Sequence, residues 1–369
     1  MPLLTALRAQ NFRCFGQLAC EFGPGAHVFV GDNAQGKTSI LEAMCVLLRL
    51  QSPRAGTLAE LARFDESPAP ASPAFGLSGD LLFPAGTGPE ESRRLTVQWQ
   101  DGQRRLGVDS EHGLSPSRYL ARSAVLVWMG NDDLALVRGP GEGRRRYLDF
   151  LGSQTFPGYR QAQLAYDKAL RSRNRLLKDD RPDARAIAAY TAPLLEHGTA
   201  LTHFRRELIA TAAPWAAASH RDISEADETL ALTYHSGATE DFATALAASV
   251  AEENRRRLTV VGPHRDDLLL TLNGRPSAAY ASEGQQRTIA LALKLAQALH
   301  LTAHHGEPPL LLIDDVFGEL DPRRRNALLR SLPSGSQQLI TTTHLGWLEA
   351  LSPAPTVCHV SQGRISAAA

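Results

Sequence analysis

The chain has 369 residues, 43% of them hydrophobic and 21% charged, and its 39 Lys and Arg side chains balance 39 Asp and Glu. That length supports a large core and more than one domain, while a neutral total gives no overall attraction to nucleic acid or lipid, so any such preference must be local. No stretch approaches the ~20 apolar residues that span a bilayer, which excludes a membrane-embedded protein.

Along the chain, "TALRAQNFRCF" and "LACEF" alternate as strands do, with "GPG" and a third strand, "AHVFV", following. Arg8 and Arg13 interrupt any apolar run near the start, so no signal peptide is expected and the location is read as cytoplasmic. Cys14, Cys20, Cys45 and Cys358 form no CxxC and fit reduced thiols. From Thr38 the period becomes helical, through Ile40, Leu41, Met44, Leu47 and Leu48. Residues 67–88, rich in Pro, Ala and Gly, read as loops around a short strand. "RRLTVQWQDGQRRLGVD" reads as a hairpin turning at Asp101-Gly102, and "AVLVW" as a buried strand. Residues 158–218 carry helical periodicity broken near Pro182, and "TEDFATALAASVAEENRRR" continues it. Then come "DDLLLTLNGRPSAAY", a hairpin with an Asn-Gly turn, a helix over 283–305 and the strand "PLLLID". This is an α/β chain. Residues 1–125 and 256–369 form a βα core, and 126–255 form a mainly helical insertion.

Three motifs carry chemistry. "GDNAQGKT", residues 31–38, fits GxxxxGK[ST] between a strand and a helix. Gly31 and Gly36 let the backbone N–H groups curl toward phosphate, with Asp32, Asn33, Ala34, Gln35 and Ser39 completing the loop. Lys37 is expected to reach the β- and γ-phosphates of ATP, and Thr38 to ligate Mg2+. In "PLLLIDDVFGELD", residues 310–313 read as a parallel strand buried on both faces. Asp314 then emerges where it can hold the metal, and Asp315 where it can act as general base. "ASEGQQRTIALALKL" puts Ser282 and Gly284 at a helix N-terminus, a second anion site. One ATP reaches two separated helix ends when a second copy supplies the other, which predicts an ATP-sandwiched dimer.

Together these segments carry a resemblance. "ASEGQQ" resembles the signature of ABC-type ATPases, "FGELD" their D-loop, and "ITTTHL" the segment bearing their switch histidine, here His344. With "NFRCF", "GDNAQGKTSILEA", "VVGPHRDDL" and "LLLIDDVFGELD" in this order, the chain resembles the RecF family of bacterial recombination mediators, within the SMC-like ATPases. The resemblance implies an ABC-type P-loop ATPase head, with mixed sheets flanked by helices and the insertion as a short arm. It implies a weak Mg-dependent ATPase with Lys37, Asp315 and His344 catalytic, and Ser282, Gly284 and Gln285 reaching the partner's nucleotide. It also implies binding to double-stranded DNA and to single/double-strand junctions. Action with RecR and RecO to load RecA follows from it, as does a place in the SOS response. The sequence departs from the pattern at Asp315, where many ABC ATPases have Glu, a change compatible with slow hydrolysis. Glu283 stands for Gln and Ala281 for Leu. "WMGNDDL" replaces the usual Q-loop sequence, so Asn131 and Asp132 are candidates there without an assigned metal contact.

Local charge asymmetry exists. Between 138 and 178 ten basic residues face three acids. At ~100° per residue Lys168, Arg171, Arg175 and Lys178 share one helix face, opposite Tyr166, Leu170 and Leu177. With Arg144, Arg145 and Arg146 they form the candidate DNA-binding set, structure-selective because no base-reading constellation accompanies them. His264 reads as a hydrogen-bonded structural histidine. Arg265 either pairs with Asp266 or Asp267 or bridges two subunits. Two other P-loop classes compete: a transporter ATPase subunit and a small-molecule kinase. More than two hundred residues separate Thr38 from Ser282, too many for the transporter subunit. The kinase would need neither Ser282 nor a dimer.

Overall fold

In the computed structural model the described residues are 2–63, 74–83, 90–181, 183–238, 241–351 and 353–367. The break expected near Pro182, and the loops expected around a strand at 67–88, lie wholly or mostly outside them; the strand is present as Ala74–Phe83. The chain divides into two compact units, one of residues 1–131 and 301–369, the other of residues 132–300.

The first unit holds two six-stranded sheets. One is antiparallel, built from Phe15–Glu21, Leu3–Phe12, Ala74–Phe83, Glu91–Gln100, Gln103–Val108 and Glu111–His112. The expected hairpin turn is there: Gln100 faces Gln103, with Asp101 and Gly102 at φ 53° and 73°. Both central residues need positive φ for a two-residue turn that matches strand twist, which explains Asp-Gly. The other sheet runs Arg364–Ala367, Thr356–Ser361, Ala26–Val30, Gln338–Thr342, Leu310–Asp314, Leu126–Gly130, and all but its first pair are parallel. Helix Lys37–Arg49 packs against strands of both sheets, and its residues 40–49 are buried on every side. Its one buried carboxylate, Glu42, is held by a two-pronged Arg13 (2.8 and 2.7 Å) and by Ser52 Oγ at 2.6 Å. The fully buried Gln337 joins the sheets: it accepts from Leu4 N at 2.9 Å and donates to the carbonyls of Leu4 and Gly23. A buried amide is tolerated when both its ends are satisfied in this way.

The second unit packs helices Gly141–Thr155, Tyr159–Leu177 and the 41-residue Ala184–Ser224 with a three-stranded antiparallel sheet of Leu230–His235, Asp267–Leu272 and Arg275–Pro276. Tyr159, Tyr166, Leu194, Leu201, Phe242 and Leu246 form its apolar core. Buried ion pairs fix the helices. Arg205 binds Asp149 at 2.7 Å and the fully buried Asp266 at 2.8 Å, while Arg173 binds Glu253 at 2.6 Å. The helical reading of residues 239–257 resolves into Phe242–Ala248 and Val250–Arg256, parted at Ser249.

Two boundaries differ from the sequence reading. Strand Leu126–Gly130, assigned there to the insertion, pairs with Leu310–Asp314 and belongs to the first unit. Residues 256–300, assigned to the core, belong to the second: Asp267–Leu272 pairs with Leu230–His235, and Tyr147 OH donates to the Leu293 carbonyl at 2.8 Å. Non-local pairing, not composition, decides where these segments go.

Candidate active site

Strand Ala26–Val30 delivers the phosphate loop and helix Lys37–Arg49 closes it. Its two glycines are required for different reasons. At Gly31 a Cβ would lie 2.2 Å from the Val360 carbonyl oxygen. At Gly36 φ is +101°, and a Cβ would also meet Cys14 Sγ at 2.7 Å and Phe15 Cζ at 2.8 Å. Gly36 offers the helix no side-chain cap, so the first-turn N–H groups point at whatever anion enters. Lys37 Nζ donates to the carbonyls of Gly31 and Asp32, both at 2.7 Å, which holds the ammonium over the loop. Burial lowers its pKa, opposed by Asp315, Asp314 and Asp32. Gln35 Oε1 accepts from Gln362 N at 2.6 Å, pinning the loop to the C-terminal hairpin; Asp32, Asn33 and Ala34 are exposed.

Leu310–Asp314 runs parallel to a strand on each side, and its residues 310–313 are buried. Asp314 thereby reaches the loop: its Oδ1 accepts from Thr38 Oγ1 at 2.8 Å and from Thr341 Oγ1 at 2.7 Å. One carboxylate and one hydroxyl side by side fit Mg2+, which takes its remaining ligands from phosphate and water. A bound ion would neutralise phosphate charge there.

Asp315 is left-handed (φ 52°), its N–H donates to Thr341 Oγ1 at 3.0 Å, and its buried Oδ1 has no hydrogen-bond partner among the described residues. Burial raises the carboxyl's pKa; Lys37 and His344 oppose this, and Asp314 and Glu319 add to it. A Cβ on Gly318 would stand 3.1 Å from His344 Cε1 and 3.5 Å from Asp315 Oδ1, so the two side chains converge over this glycine. Asn131 Nδ2 donates to Glu319 Oε1 at 2.8 Å and to the Asp315 carbonyl at 3.4 Å, placing the Q-loop candidate beside the acid. Thr341 and Gly318 escaped the sequence reading, although both sit inside motifs quoted for other residues.

In the second unit, Ser282 is exposed before helix Glu283–His305. Its N–H donates to Gln285 Oε1 at 2.7 Å and its Oγ accepts from Gln285 N at 3.3 Å, a reciprocal cap signalled by the S-x-x-Q spacing. Gln285 Nε2 donates to Glu228 Oε1 at 2.7 Å. Both ends of this amide are thus engaged within the chain. Gly284 lies in the first turn, partly exposed.

The structure divides the basic set. Lys168, Arg171, Arg175 and Lys178 are exposed, opposite buried Tyr166 and Leu177, and Arg146 is exposed as well. Arg144 grips Asp267 at 2.7 and 2.8 Å, and Arg145 donates to the Asp266 carbonyl at 2.7 Å. The Arg144 guanidinium is thus engaged by a carboxylate distant in sequence, and Arg145 by a main-chain oxygen. His264 is structural as expected: it meets Tyr166 OH at 2.6 Å and the Thr259 carbonyl at 3.1 Å, and burial pushes its pKa down to about 4. Asp266 and Asp267 are taken by Arg205 and Arg144, which leaves Arg265 exposed and without an ion-pair partner among the described residues.

A phosphate loop on a buried helix, an acidic strand end beside it and a histidine over the second acid, on two such sheets, define a P-loop ATPase of the ABC type with an SMC-like head. Two SMC head structures, from Pyrococcus furiosus and Pyrococcus yayanosii, share the fold with TM-scores of 0.55 at 14% identity, covering 100% of this chain and 96% and 98% of theirs. A family model for the AAA domain matches residues 6–112. The DNA replication and repair protein RecF of Symbiobacterium thermophilum is 37% identical, covering 93% of this chain and 92% of its own. That of Anaeromyxobacter sp. (strain Fw109-5) is 36% identical over 98% of both. A solved structure of the recombination mediator RecF with ATP, from the RecFOR pathway, superposes with a TM-score of 0.87 at 27% identity, covering 100% of this chain and 98% of that one. The chain belongs to the RecF family of DNA replication and repair proteins.

Proposed function

We propose that this protein is an ATP-switched DNA-binding repair ATPase, in which two copies close on ATP and hydrolysis lets them part. The convergence of Lys37, Thr38, Asp314, Asp315 and His344 in one unit carries the reading. The loop N–H groups and Lys37 bind the phosphates, and Thr38 with Asp314 would hold Mg2+. Asp315, whose Oδ1 has no hydrogen-bond partner among the described residues, takes the proton of the attacking water, and His344 supports the γ-phosphate side. Ser282 and Gly284 of the second copy complete the grip. Loss of the γ-phosphate removes a ligand shared by both copies, so the dimer loosens.

The exposed stripe Lys168, Arg171, Arg175 and Lys178, with Arg146, docks on the phosphates of double-stranded DNA or of a single/double-strand junction. Family membership supports work alongside RecR and RecO in loading RecA, within the SOS response. The test is light scattering with a non-hydrolysable ATP analogue. The wild type is expected to dimerise, whereas Lys37→Met, which cannot hold the phosphates, and Ser282→Arg, which blocks the facing copy, stay monomeric. Dimerisation by either variant at the wild-type concentration refutes the shared-nucleotide arrangement.

A further inference from the structure

The signature serine is wired to the long helix of its own unit. Glu228 lies between helix Ala184–Ser224 and strand Leu230–His235. Its Oε1 accepts from Gln285 Nε2 at 2.7 Å, and its Oε2 lies 3.6 Å from Nε2 of His220, a fully buried residue in the last turns of that helix. The segment carrying Glu228 is itself clamped: Thr229 N donates to Asn273 Oδ1 at 2.8 Å, and Asn273 N returns a bond to the Thr229 carbonyl at 2.9 Å. Gln285 has one amide with two ends. With Nε2 fixed by Glu228, Oε1 faces the Ser282 N–H, and rotation of the amide would break both bonds. From below, Gln286 holds the approach to the serine by donating to the carbonyls of Ser277, Ala278 and Ala281, the last at 3.0 Å.

We propose that Glu228 is a positioning residue for Ser282, acting through Gln285, and that Glu228, four residues beyond the last residue of the long helix, ties the C-terminal end of that helix to the signature segment. An arm helix displaced by its load would shift Glu228, release the Gln285 amide and misplace the serine. The device rests on the shared-nucleotide reading above, because Ser282 matters for turnover only if it reaches the other copy's ATP.

The test is ATP turnover and analogue-driven dimerisation of Glu228→Ala, Glu228→Gln and Gln285→Ala in the full chain. Glu228→Ala and Gln285→Ala should each lower turnover at saturating ATP about tenfold, as for loss of one charge-assisted bond. ATP affinity of the isolated copy should stay unchanged, since the loop lies in the other unit. The double variant should be no worse than either single one, because both cut the same link. Glu228→Gln keeps an acceptor oxygen and should recover most of the activity, which a bulk stability role would not predict. Wild-type turnover in Gln285→Ala, or additive losses in the double variant, overturns the proposal. If Ser282→Arg itself dimerised normally, the shared-nucleotide reading would fail, whereas an impaired Ser282→Arg beside a normal Glu228→Ala would sink this link alone.

Discussion

Asp315 occupies a backbone region, φ 52°, that Asp and Asn enter far more readily than Glu. The shorter acid suits this turn, and a longer one is also tolerated in this backbone region, as Glu225 shows at φ 50°. Asp315→Asn keeps the conformation and removes the base, and turnover is expected to fall by roughly two orders of magnitude or more. It should also leave a long-lived ATP dimer. Stability should move the other way. The folded state raises this carboxyl's pKa, chiefly through burial, so folding favours its protonated form. The folded chain therefore binds the extra proton more tightly, and stability drops as pH climbs from the ordinary carboxyl value through the raised one. Asn escapes that loss, so its thermal midpoint above this window should match or exceed the wild type, with the gap closing in acid. A melt series across pH beside a steady-state assay reads both effects; unchanged turnover would remove Asp315 from the catalytic role.

Elements that follow local rules are legible in the sequence. The Asp101-Gly102 and Asn273-Gly274 turns, the helix Glu283–His305 and the strand Leu310–Asp314 each announce themselves within a few residues. Leu230–His235 is easily passed over: Leu230, Leu232 and Tyr234 do alternate, but the segment has only six residues and its partner, residues 267–272, is distant in sequence. The same blindness affected Arg144, which reads as part of a basic run until Asp267 folds onto it. Buried ion pairs of this kind are where the second unit is vulnerable. Asp266, fully buried, accepts from Arg205, from Tyr234 OH and from Gly237 N. Asp266→Ala strands part of the Arg205 charge and both other donors, which by comparison with other buried pairs costs about 3–5 kcal/mol. Hydrogen exchange should show this as lost protection through residues 184–224 and 267–272, with the strands of the other unit unaffected. Protection that is unchanged throughout would mean that Asp149 alone suffices to hold Arg205.

At the scale of the whole molecule, net neutrality gives no overall attraction to DNA, so the proposed docking would rest on the local stripe on Tyr159–Leu177 and on its duplication in a dimer. From Lys168 to Lys178 the stripe runs about 15 Å, at ~1.5 Å per residue, and can follow several phosphates of one strand. The four stripe residues with Arg146, five contacts per copy, give a slope of log K against log salt near −4.5, and a dimer that engages both sets approaches −9, taking about −0.9 per phosphate. Nucleotide should therefore change the slope as well as the affinity. With a non-hydrolysable analogue the wild type is expected near the steeper value, and Ser282→Arg, held single, near the shallower one. Replacing Arg171 and Arg175 by Ala should flatten the dimer's slope by roughly 3.6, two charges lost on each of two copies. Equal slopes with and without analogue would mean that closure does not bring the two stripes onto one duplex. An unaltered slope in the double Ala variant would return those arginines to the status of a solvated helix face, and the DNA would then have to lie elsewhere on the surface.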